Sequence, residues 1–270
     1  MALSMFLYSL CEALGKYLTS SYEPAQIIFL RSSVGILIVA WVTFNRGIQA
    51  YKTEFKLNIT RNLLAATGLL LTLYSLKNLP LSSHEFISLM SPVFISLISA
   101  IFLKERLSLI IFFSISLSLI GVIIMSYPFK DTALSIGFCF ALLSMLFNAS
   151  AAVATKRIAH LDNLILYSTY ILTCFIVSGV FAYDSLSLNL RDIPLFCLIT
   201  ILHFLAFQLL IQAFRREDLI KLAPLEYTSA LWAITLGYIF WQYLPSHKEL
   251  WGGSLIILGS LLVSMKKLKI

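Results

Sequence analysis

The chain has 270 residues, 59% of them hydrophobic and 12% charged, with a mean hydropathy of +0.90. A soluble domain of this length lacks the interior to hide that much apolar surface, so most of the chain is solvated by lipid. The formal net charge is +7, but the basic residues fall singly and in pairs between apolar runs. That is loop charge in a membrane protein, not a stripe for nucleic acid.

A spanning helix needs about 20 apolar residues. Ten segments qualify: 1–18, 24–44, 61–79, 81–103, 107–126, 134–156, 162–183, 193–214, 218–241 and 249–265. The connections are brief, the longest being Asn45–Thr60, so the chain reads as one all-α polytopic unit with no soluble domain.

Each charge at bilayer depth needs a reason, because insertion costs about 2.5–3.5 kcal/mol. In the first segment Glu12 and Lys16 are four residues apart and share a helix face. They form either a mutually satisfied ion pair or a pair that opens for solute or proton. The segment has no basic leader region and no small-residue cleavage site, and reads as a retained helix. Arg31 is the eighth residue of the second segment, too deep for a boundary charge. It can snorkel, pair with Glu12, or clamp a carboxylate.

In the third segment Gly68, Thr72 and Ser75 make a small-polar stripe with Tyr74 beside it. The fourth opens with His84-Glu85, a solvated helix start or an outer gate. It carries Pro92 near its middle and ends on the charged stop Lys104-Glu105-Arg106. Ser88, not a second histidine, stands four residues after His84, so no zinc-protease helix is present. Ser144, Asn148, Ala151 and Thr155 form a stripe in the sixth segment, and Gln208 and Gln212 share a face in the eighth. Such stripes serve as helix–helix glue or as cavity lining. His203 is nine residues before Gln212, about 180° away around the helix, and is left out of the site on that arithmetic.

Glu226 is the strongest single candidate. It follows Pro224, whose missing N–H frees a backbone carbonyl, and Ala230, Ala233 and Gly237 continue its face as a small-residue groove. Tyr227 adjoins it, and Trp232 lies near the same face, where a planar or cationic group can stack. The alternative for Glu226 is a helix-packing hydrogen bond. Cys11, Cys139, Cys174 and Cys197 lie inside apolar runs without metal or disulfide spacing and read as free thiols. No phosphate loop, nucleophile elbow or metal-ligand cluster appears, so neither cofactor nor metal is expected.

The stretch Leu81–Ser108 returns 138 residues later as Leu219–Ser246, with Ile101-Phe102 falling on Ile239-Phe240 and Gly121 on Gly259. This predicts two five-helix repeats, residues 1–126 and 134–267. With the N-terminus inside, fourteen Lys/Arg fall on the cytoplasmic side, Arg61 among them, and five outside. Both termini are therefore expected in the cytoplasm. Five helices per copy is odd, so the copies are inverted relative to each other. Many secondary transporters use that architecture for alternating access around a site near mid-depth.

At this point the residues are familiar. Glu12-Ala13-Leu14-Gly15-Lys16-Tyr17-Leu18 followed by Gln26-Ile27-Ile28-Phe29-Leu30-Arg31 resembles the first two helices of the drug/metabolite transporter superfamily, EamA type. So do Ser91-Pro92-Val93-Phe94 with Glu105-Arg106-Leu107-Ser108, and Ala223-Pro224-Leu225-Glu226-Tyr227 with Trp232-Ala233. The likeness runs along essentially the whole chain. The first and ninth helices are similar to those of the subgroup of bacterial S-adenosylmethionine uptake transporters. One departure is Tyr243, where family members usually carry a second acidic residue, so Glu105 has no counterpart in the second repeat.

The resemblance implies a bacterial inner-membrane secondary transporter for a small polar or zwitterionic metabolite, such as S-adenosylmethionine or an amino-acid-like solute. Coupling would be to protons or by exchange. Substrate binding is expected at Glu226, Tyr227, Trp232, Arg31, Tyr74, Asn148, Gln208 and Gln212, and coupling or gating at Glu12, Lys16 and Glu85. The partners expected are the solute and the lipid bilayer, with no nucleic acid, in a monomer or homodimer. Export of amino acids or drugs is the alternative, ahead of a polytopic membrane enzyme or a structural membrane protein.

Overall fold

The computed structural model describes residues 1–102, 109–127, 132–182, 188–217, 222 and 225–267. The charged stop Lys104-Glu105-Arg106 and the proline at Pro224 lie outside the described residues. Among those described, every regular element is helical: α1 (Ala2–Leu18), α2 (Pro24–Arg46), α3 (Phe55–Asn78), α4 (Leu81–Ser88), α5 (Ser91–Phe102), α6 (Leu109–Ser126), α7 (Thr132–Ile158), α8 (Asn163–Ala182), α9 (Ile193–Arg216), α10 (Thr228–Trp241) and α11 (His247–Lys267), with short 3-10 turns at Ile48–Lys52 and Leu190–Asp192. Among the described residues seven helical segments can cross a membrane by length and composition, taking Leu81–Ile98 as one, and Thr228–Trp241 is a shorter apolar helix. The molecule is a multi-pass membrane protein.

Two boundaries differ from the sequence expectation in ways that matter. The third helix begins at Phe55, six residues earlier than expected. Lys56, Asn58 and Thr60 look like loop chemistry, but Asn58 is buried and its amide donates to Thr169 Oγ1 at 3.1 Å. The early start carries Arg61 into the protein interior. The expected fourth span is broken into α4 and α5 at Leu89–Met90. Pro92 has no N–H to give to the carbonyl of Ser88, and its ring crowds that carbonyl, so α4 ends at Ser88. The hydroxyl of Ser260 on α11 donates to the Leu89 carbonyl at the break. In the second half Tyr227, 138 residues after Leu89, again sits in a turn, between the helical Leu225-Glu226 and α10.

The helices pair reciprocally. α1 packs on α9 and α10, while α3 packs on α7, which also receives α4 and α5; α2 meets α8, and α6 meets α11. At the α6–α11 seam backbone meets backbone. A Cβ at Gly121 would come within 2.5 Å of the Gly252 carbonyl oxygen, and one at Gly252 within 2.4 Å of the Gly121 carbonyl oxygen. Small residues let two backbones touch, which is how lipid-embedded helices gain packing energy without a hydrophobic drive. The largest apolar cluster joins α1, α2, α3, α8, α9 and α10, and a second joins α4, α6, α7 and α11. A central cavity opens between them.

Candidate functional site

The cavity has a volume of about 310 Å3 and is lined from both halves of the chain. Its polar groups form two clusters. The acidic cluster is built from α1, α4 and the short helical Leu225-Glu226 before α10. Glu12, Glu85 and Glu226 all line the cavity. The Ser229 hydroxyl donates to Glu85 Oε2 at 2.9 Å, and Glu12 Oε2 is buried without a hydrogen-bond partner.

The basic cluster comes from α2 and α3 against α8 and α9. Arg31 is 4% exposed and Arg61 1%, and both line the cavity. Arg31 Nη2 donates to the Tyr170 hydroxyl at 3.3 Å. The Tyr170 ring stacks on His203, with centroids 5.4 Å apart and planes 8° apart, and the Arg61 guanidinium lies 5.2 Å above the ring centre of Phe207. Among the described residues the salt bridges are Arg46–Asp162 and Lys77–Glu23, so neither cavity arginine is paired with a carboxylate.

Of the candidates drawn from sequence, Glu12, Arg31, Glu85, Asn148 and Glu226 come together on the cavity wall. Asn148 is held against α3 where Gly68 leaves room: a Cβ at Gly68 would fall 2.3 Å from Asn148 Oδ1. Ala151, Thr155 and Thr72 from the expected stripes line it as well. Other candidates lie elsewhere. The Tyr74 ring packs on Phe140 with centroids 5.4 Å apart. Trp232 is 38% exposed and meets Phe6 edge-on at 4.8 Å, facing outward rather than under Glu226. Tyr227 is half-buried against the second apolar cluster. Gln212 is exposed and Gln208 partly so, and neither reaches the cavity wall.

Four expectations are corrected. Lys16 does not pair with Glu12. Its ammonium donates to the carbonyls of Leu76, at 2.6 Å, and Leu79, at 2.5 Å, because the end of α3 presents unsatisfied carbonyls there. Arg31 binds Tyr170 rather than Glu12. His84 and Glu85 are not a solvated helix start. Both are buried, with His84 Nδ1 3.0 Å from Ser75 Oγ, since α4 is tucked between α10 and α7. His203 lines the cavity. The helix arithmetic was right, and it is the glutamine face that points away.

The residues that sequence reasoning passed over are Arg61, His203 and the aromatic shelf of Tyr170 and Phe207. Arg61 was hidden by polar neighbours that resemble a loop. The signal for the others was the alignment of Tyr167, Tyr170, His203 and Phe207 on facing turns of two helices, where each tyrosine ring contacts both His203 and Phe207.

Comparison with known proteins follows from this geometry. A crystal structure of another protein superposes with a TM-score of 0.68 at 17% identity, covering 100% of this chain and 98% of that one, which shows a shared fold. The pseudopaline exporter CntI of two Pseudomonas aeruginosa strains is 25% identical over 268 residues, 98% of this chain and 94% of the exporter. Residues 1–127 and 135–265 each match the EamA-like transporter family. With a fold of packed apolar helices around a charged central cavity, this chain belongs to the EamA-like transporter family.

Proposed function

We propose that the chain is a secondary transporter that moves a small zwitterionic metabolite through the central cavity by alternating access. The observation that carries this reading is the cavity's charge. Two guanidiniums and three carboxyl groups line one space of about 310 Å3, and no salt bridge joins the two sets among the described residues. Charges at bilayer depth are costly unless a partner or a function answers them. A solute bearing both signs answers both clusters at once: its carboxylate meets Arg31, and its cationic group meets Glu226 and Glu85.

The reading includes ten spans arranged as two inverted five-helix repeats, residues 1–126 and 134–267. The reciprocal pairing of α1 with α9 and α3 with α7 supports it, as do turns 138 residues apart at Leu89 and Tyr227. The lysine and arginine balance favours both termini in the cytoplasm of a bacterial inner membrane. S-adenosylmethionine has the required carboxylate, amine and sulfonium. The relatives are named as exporters, which favours outward movement of an amino-acid-like solute. Two acids that line one cavity on neighbouring helices, Glu12 and Glu85, are the natural place for proton coupling.

The test is counterflow in proteoliposomes with labelled S-adenosylmethionine, amino acids and riboflavin. Accumulation of a zwitterion, lost in Glu226→Gln and Arg31→Ala, is the expected outcome. Transport of riboflavin alone, or zwitterion transport indifferent to both substitutions, would sink the reading.

A further inference from the structure

The cavity's arginines come as a pair around one aromatic shelf. Tyr170 receives the hydrogen bond from Arg31 and stacks over Phe207, with centroids 6.2 Å and planes 11° apart, and Phe207 in turn lies beneath Arg61. A guanidinium carries five N–H donors in a fixed fork. Arg31 places one of them on Tyr170. Arg61 donates to Asn62 Oδ1 and to the Leu166 carbonyl at 3.4 Å, and its buried Nε has no hydrogen-bond partner.

One buried arginine is enough to hold one carboxylate bidentately. A second, 1% exposed and unanswered by any carboxylate among the described residues, adds a desolvated charge that neutral hydrogen bonds and a ring face answer only in part. The acidic cluster of Glu12, Glu85 and Glu226 comes from other helices and does not neutralise it. The missing counter-charge is therefore carried in by the solute.

We propose that Arg31 and Arg61 each receive one acidic group of the same solute, so that the substrate class is a small amino compound with two carboxylates rather than a monocarboxylate amino acid. This rests on the transport reading and deepens it. Arg61 is then a specificity-determining residue, and the amino groups of the solute face the acidic cluster.

Lysine and diaminopimelate make a matched pair of probes, since the second is the first with one more carboxylate. Binding to the purified full-length protein in nanodiscs is measured by calorimetry, with Arg61→Gln and Arg61→Lys beside the wild type. Wild type is expected to bind diaminopimelate about tenfold tighter than lysine, the gain of one charge-assisted group. Arg61→Gln should erase that preference while leaving lysine affinity within about twofold, and Arg61→Lys should retain part of it. Equal affinity of the wild type for both probes, or binding of neither, overturns the inference without any variant. So does an Arg61→Gln protein that loses both probes alike. If lysine or another monocarboxylate zwitterion still undergoes counterflow, the transport reading stands alone; if no zwitterion binds or moves, both fall.

Discussion

Lys16 and Lys156 do the same thing in the two halves of the chain. The Lys16 ammonium donates to the carbonyls of Leu76 and Leu79 at the end of α3, and the Lys156 ammonium to those of Phe214 and Glu217 at the end of α9. The acceptors are 138 residues apart in both cases. A cation at a helix C-terminus meets unsatisfied carbonyls and the negative end of the helix dipole. Under the inverted-repeat arrangement proposed above, the two contacts would fall on opposite membrane faces, where each would serve as a latch. Each charged hydrogen bond contributes about 1.5–3 kcal/mol, a range in which a contact of this kind would hold a face shut and still open.

In a chain that keeps Cys11, which lines the cavity, as its sole cysteine, Lys16→Met should raise labelling by an impermeant maleimide added from outside several-fold. Lys156→Met should do so from the cytoplasmic side only. Equal effects from both sides would show that the contacts are structural rather than gates.

Replacing Gly252 by alanine sets a methyl against the Gly121 carbonyl and Met125 Cγ, each 2.4 Å away. Backbone cannot yield as a side-chain tip does, so a loss of about 1–3 kcal/mol is expected. Gly237→Ala is the control, because the nearest atom to its Cβ, the Tyr243 carbonyl oxygen, is 3.9 Å away. Thermal melts of the two variants in the same detergent should separate clearly, with Gly252→Ala the lower.

Glu12→Gln keeps a polar amide at the cavity wall and removes one of the two acids. The melting temperature is expected to hold or rise, since an amide carries no charge to desolvate. Uphill transport driven by a pH gradient should fall at least about tenfold while exchange at equal pH persists. Loss of both activities in folded protein would assign Glu12 to the solute instead.

Asp162 does two jobs that substitutions can tell apart. Its Oδ2 pairs with Arg46 at 3.1 Å, half in solvent, and its Oδ1 accepts from the Leu164 N–H at 2.8 Å at the start of α8. The exposed ion pair is worth less than about 1 kcal/mol, and the cap about 1 kcal/mol. Arg46→Ala should therefore melt close to wild type and Asp162→Ala measurably lower.

The apolar runs made the helices legible, and Pro92 marked the broken span within a few residues. Glu12, Arg31 and Glu226 were legible as cavity groups because charge inside an apolar run has few other uses. Arg61 was not, for the opposite reason: among Lys56, Asn58 and Thr60 it looks like ordinary loop charge, and only the packing of α3 on α7 and α8 takes it inside. His203 and the glutamines show a second limit. Periodicity says which residues share a face but not which face turns inward. A Gln-rich face on α9 ended outward while a His-bearing, aromatic one lines the cavity. The lysine latches were equally hidden, since their acceptors are backbone carbonyls, which no residue pattern marks.

The break at Leu89 has a further consequence through the hydroxyl it borrows from Ser260 on α11. Ser260 does not itself line the cavity, yet its hydroxyl holds the lining residue Leu89 at the bend that brings Ser88 and Ser91 to the cavity wall. In a genetic selection on growth, alleles that change which compounds are handled should therefore arise at Ser260 as well as at the cavity. Second-site suppressors of Pro92 substitutions should cluster along the same stretch of α11.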